Sequence, residues 1–78
     1  MKNERLYRYL LGIEGMRCGM CEEHIQSALR NAFPLKKVKA SRHKKSALVV
    51  SKIQIEESTF HKVIDPLGYP MVSYEEIL

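Results

Sequence analysis

LGIEGMRCGMCEEHIQSALRNAFP, residues 11–34, contains a change of period. Before it, from Leu6 to Ile13, Tyr7, Tyr9, Leu11 and Ile13 fall on one side of a two-residue alternation, the pattern of a strand with one buried face. Gly15 ends that run. From Cys21 onward the apolar residues switch to helical spacing, with Ile25, Ala28, Leu29 and Ala32 at i, i+3, i+4 and i+7. Glu22 and Glu23 sit in the first turn and Arg30 comes late, the charge order that suits a helix dipole, and Pro34 stops the helix. Seven residues, GMRCGMC, therefore join a strand to a helix.

The rest of the chain repeats the theme. Leu35 to Ala40 alternates lysines with apolar residues, as a half-exposed strand does, and Ser41 to Ser46 is a polar turn. Ala47 to Val50 is a β-branched strand whose inward pair is either Ala47 and Val49 or Leu48 and Val50. A second helix is predicted from about Glu56, capped by Ser58 or an earlier residue, with Phe60, Val63, Ile64 and Leu67 turned inward. Pro66 implies a distorted last turn, Gly68 a left-handed stop, and Tyr69 to Ser73 a short final strand.

The order strand, helix, strand, strand, helix, strand predicts an α+β fold. Two interleaved right-handed strand–helix–strand units make a ferredoxin-like βαββαβ sandwich. Its four-stranded antiparallel sheet has order 4-1-3-2 and carries both helices on one face. In that topology the first strand–helix loop, the hairpin near His43 and the loop before Tyr69 share one end of the molecule.

With 78 residues there is room for a single domain, 1–78, and an apolar share of 45% argues against a disordered chain. The opening residues, MKNERLYRYLLGIEG, lack an apolar core long enough for a signal peptide, and no segment approaches a membrane span. A cytoplasmic location is expected. There thiols stay reduced, so a lone Cys pair reads as metal-binding or redox-active and not as a disulfide staple.

Cys18 lies in the loop and Cys21 in or near the first helical turn. Free N–H groups at a helix start favour thiolate over thiol, and Arg17 is expected to push the same way. Two thiolates with no other obligatory ligand suit copper(I) or mercury(II), whereas structural zinc wants four ligands. A dithiolate holding copper(I) has net charge −1 and an open side for an incoming thiolate.

The string GMRCGMC at 15–21 resembles the GMxCxxC signature of the heavy-metal-associated domain family, which includes small copper chaperones and modules of metal-transporting ATPases. The resemblance extends over nearly the whole chain: Ile25 and Leu29 stand four and eight residues after Cys21, and Phe60, Ile64, Gly68 and Tyr69 match the family's C-terminal pattern. It implies that Cys18 and Cys21 are the metal ligands, that Met16 is a buried anchor of the loop, and that Tyr69 packs beside the site. Pro34 replaces the usual Gly, Glu22 a common apolar residue, and Arg17 the common Thr or Ser. Relatives selective for zinc or cadmium often carry Asp where Arg17 stands.

The resemblance implies a soluble copper(I) chaperone, delivering its ion by thiolate exchange to an acidic partner such as a metal-transporting ATPase domain, as a monomer or a metal-bridged dimer, and not an enzyme. The alternatives are carriage of another soft ion such as mercury(II), and a redox protein cycling Cys18 and Cys21 between dithiol and disulfide. His24, one turn beyond Cys21, is a candidate extra ligand, with His43 behind it; His61 is expected to be merely exposed. Seven of the thirteen Lys and Arg residues lie between Lys36 and Lys52, within a net charge of +4. No aromatic platform accompanies them, which argues against nucleic acid. Arg42, Lys44 and Lys45 are instead expected to dock the acidic partner, and no membrane insertion is expected.

Overall fold

A computed structural model describes residues 5–77; the leader reading at residues 1–4 lies partly outside them. The elements are β1 (Tyr7–Ile13), α1 (Gly19–Ala32), β2 (Leu35–Ser41), β3 (Ser46–Ser51), α2 (Glu57–Ile64), a 3-10 turn (Asp65–Leu67) and β4 (Met71–Ile77). The strands form one antiparallel sheet in the order β2-β3-β1-β4, the expected order read from its other edge. Among the described residues, no helix is long and apolar enough to cross a membrane.

Alternation decides which face of the sheet is covered. β1 turns Tyr9, Leu11 and Ile13 into the core, β2 turns Val38 and Ala40, and β3 turns Ala47 and Val49, which resolves the open register in favour of the latter pair. Ile25 and Leu29 of α1 and Phe60 and Ile64 of α2 complete the same cluster. Phe60 is its hub, with ring centroids 5.3 Å from Tyr9, 5.5 Å from Phe33 and 5.9 Å from Tyr74.

α2 is capped by Glu56, the earlier of the caps expected, with no side-chain cap bond, and Ser58 lies inside the helix. Three expectations need correcting. α1 begins at Gly19, two residues before the apolar periodicity does, because a helix starts at its cap and not at its first buried residue. Leu67 is exposed, since the 3-10 turn at Pro66 rotates it off the inward face. The last strand runs from Met71 to Ile77, displaced and longer than Tyr69 to Ser73. The Asp65 carboxylate accounts for part of that start. It accepts the Met71 N–H at 3.3 Å and meets His61 Nδ1 at 2.9 Å, an interaction that lowers its pKa. His61 is therefore engaged, not merely exposed.

The loop entering α2 is held by two tyrosine hydroxyls. Ile55 donates its buried N–H to Tyr9 Oη at 2.9 Å and accepts Tyr74 O–H at 3.0 Å, so both its backbone groups are satisfied far from water. Tyr9→Phe is expected to orphan the Ile55 N–H and cost about 1–3 kcal/mol, lowering Tm by roughly 4–8 °C per kcal/mol. Thermal unfolding followed by circular dichroism measures it; an unchanged Tm would show that the bond contributes nothing.

Candidate metal centre

The loop between β1 and α1 is tied down at its entrance. A bulge shifts the β1–β4 register between Gly12 and Ile13. On the β3 side the Ile13 N–H donates to the Lys45 carbonyl at 2.9 Å, one step beyond the last β1–β3 pair, and on the β4 side the Glu14 N–H donates to the Pro70 carbonyl at 3.0 Å. Lys45 sits at φ 54, a left-handed turn position uncommon for a side chain of its kind. The three loops expected at one end are thus bonded to each other. Gly15 comes next at φ +90, where only glycine is unstrained, and a Cβ there would face the Tyr69 ring at 3.6 Å.

Met16, expected to be a buried anchor of the loop, is half-buried and packs against the core. Cys18 is the N-cap of α1 in extended conformation, and its carbonyl accepts the N–H groups of Cys21 at 3.1 Å and Glu22 at 3.4 Å. Cys18 is exposed and Cys21 half-buried. Their sulfurs are 3.6 Å apart, close enough to share one ion.

The Cys21 thiol is pulled down to about 7. The largest cause is a hydrogen bond from the Tyr69 hydroxyl, followed by the backbone N–H groups of Arg17 and Cys18; partial burial opposes them. The Tyr69 hydroxyl is correspondingly raised, because losing its proton beside the thiolate is unfavourable. This refines two expectations. Arg17 acts on Cys21 through its backbone N–H, its side chain being exposed, and Tyr69 is a hydrogen-bond donor as well as a packing neighbour.

The structure does not gather the histidines. His24 and His43 are exposed, and among the described residues no group of three or more His, Cys, Asp and Glu could hold a metal. Of the expected docking cations, Lys44 and Lys45 are exposed on the turn, but Arg42 is occupied. Glu22 accepts the Arg42 N–H at 2.6 Å and its guanidinium at 3.3 Å. Sequence reasoning missed this role of Glu22, although its departure from the apolar residue common in the family was a signal. It also missed Gln26, whose side chain accepts the Ala40 N–H at 2.9 Å.

No protein-family model matches the chain, and no curated protein matches it by sequence. Solved structures do. The chain is similar to the heavy metal binding protein TM0320 from Thermotoga maritima, at 26% identity and TM-score 0.72, over 90% of this chain and 98% of that one. A copper binding domain from HMA7, a P-type ATPase, has TM-score 0.73 at 22% identity, over 92% and 95% of the two chains. The N-terminal domain of ZntA in its apo form has TM-score 0.75 at 19% identity, over 95% and 96%. Likeness at the last two identities concerns the fold. This chain thus shares its fold almost end to end with heavy-metal-binding domains, and its GMRCGMC loop resembles the signature of the heavy-metal-associated domain family.

Proposed function

We propose that this domain binds one soft metal ion, copper(I), between Cys18 and Cys21 and passes it by thiolate exchange to a partner domain. The observation that carries the reading is the 3.6 Å pair of sulfurs on a strand–helix loop, one of them biased toward thiolate near neutral pH. Structural likeness to heavy-metal-binding and copper-binding domains supports it.

With metal–sulfur bonds of about 2.3 Å, sulfurs that far apart subtend about 100° at the ion, a bent pair whose third side is open. Straightening into a linear dithiolate requires roughly 1 Å of opening, within reach of a rotamer change at exposed Cys18. An incoming thiolate adds at the open side. Cys18, free of the Tyr69 bond, is the sulfur that swings away, while Cys21 stays oriented by Tyr69 and two N–H groups. A cytoplasmic setting keeps both thiols available, and an acidic module of a metal-transporting ATPase suits the cations nearby.

Anaerobic competition of copper(I), zinc and mercury(II) for the reduced protein, read by native mass spectrometry, tests the assignment. One copper(I) per chain is expected to persist in excess zinc. Preferential retention of mercury(II) would transfer the role to that ion, and a reversible disulfide without metal retention would make this a redox protein.

Cys18→Ser and Cys21→Ser are each expected to abolish stoichiometric copper(I) binding with the circular dichroism spectrum unchanged, because two sulfurs are the minimum set. Near-native affinity in either variant would overturn the dithiolate. Tyr69→Phe removes the main cause of the low Cys21 pKa, so its thiolate is expected to titrate above 7, toward the ordinary thiol value. Protons compete with metal below a ligand's pKa, so the pH at which copper(I) binding is half lost is expected to rise in this variant. Thiolate absorbance and pH-dependent competition with a chelator track both effects.

A further inference from the structure

The sheet face turned away from the helices carries a groove with an apolar floor and a cationic border. Residues alternate with the core positions, so Leu10, Leu48, Lys37 and Lys39 project outward from β1, β3 and β2. Register aligns one row across all four strands: Lys39 faces Leu48, Leu48 faces Leu10, and Leu10 faces Glu75 of β4. Lys37, Lys39 and Lys44 border the two leucines around a space of ≈ 320 Å³, and none of the residues lining it is acidic.

We infer that this groove binds an acidic amphipathic segment of a partner protein, its apolar side chains on Leu10 and Leu48 and its carboxylates over Lys37, Lys39 and Lys44. Charge complementarity carries the choice of occupant. Among the described residues no ion pair engages these three ammonium groups, so three like charges stand together around the leucines. The leucines ask for an occupant with apolar side chains as well as negative charge. A concave floor accepts inserted side chains, whereas a bilayer surface is served by apolar groups that protrude. No aromatic ring lines the groove, so it offers nothing for a nucleic-acid base to stack on. Glu75 closes the far end of the row and repels carboxylates there, which orients the segment with its acidic side over β2. The inference does not depend on which metal Cys18 and Cys21 hold.

The test uses the isotope-labelled apoprotein and a synthetic peptide, Glu-Glu-Leu-Glu-Leu-Glu-Glu, followed by amide chemical shifts. Shifts are expected to concentrate at Leu10, Lys37, Lys39 and Leu48, and binding to weaken sharply with added salt. Lys37→Glu with Lys39→Glu is expected to weaken it by about tenfold or more, and a peptide with Ser for Leu to bind similarly poorly, while metal stoichiometry stays unchanged. Lys44→Glu, on the turn, serves as a second variant if the double change disturbs the strand. Absence of binding, shifts elsewhere, or equal binding of the serine peptide would overturn the inference. Tighter binding to phosphatidylserine vesicles or to a single-stranded oligonucleotide would overturn it equally.

Discussion

Two backbone hydrogen bonds at the end of β1 hold the functional end of this molecule together. Ile13 donates to Lys45 in the β2–β3 turn, and Glu14 donates to Pro70 at the approach to β4. The strand exit is thereby clamped between segments that lie far from it in sequence. The loop beyond it, Gly15 to Cys18, is short enough that fixing one end and nucleating α1 at the other leaves little freedom in the backbone that carries the two cysteines. The two sulfurs are thereby placed without being buried.

The sulfurs are placed unequally. Cys21 occupies the first turn of α1 and receives three donated hydrogen bonds, from Tyr69 and from the N–H groups of Arg17 and Cys18. Cys18 caps the helix with its backbone, which leaves its side chain exposed. One sulfur is held by donated hydrogen bonds and biased toward thiolate; the other is exposed. Stabilising Cys21 as thiolate favours metal binding, and the same donated bonds draw electron density from the sulfur, which limits how tightly it binds.

Period alone made the fold legible. The change from alternation before Gly15 to helical spacing after Cys21, and its recurrence from Ala47 to Ile64, specify βαββαβ and its strand order, because each element must bury one face. Some boundaries were less legible, since local polar bonds help decide them: β4 starts at Met71, where Asp65 receives its N–H. At the site, the convergence of Cys18 and Cys21 at a strand–helix junction was legible in GMRCGMC. The Tyr69 bond to Cys21 and the Glu22 bond to Arg42 join residues 48 and 20 positions apart, and no periodicity encodes a contact of that kind.

Glu22 and Gln26 also decide where partners can approach. Both project from α1 onto β2 and accept the N–H groups of Arg42 and Ala40. These are bonds that the edge of a sheet would otherwise offer to another strand. Their engagement closes this stretch of the β2 edge to strand addition and takes Arg42 out of the set of unpaired cations. On the other edge, Glu75 and Glu76 stand exposed near the end of β4, and charged side chains discourage edge pairing there as well. Two surfaces remain suited to contact. One is the loop end with its sulfurs; the other is the open sheet face, where Lys37 and Lys39 border the leucines. Lys44, in the turn that reaches β1 through Lys45, joins them, so the cationic border of the face runs up to the turn that is bonded to the exit of β1.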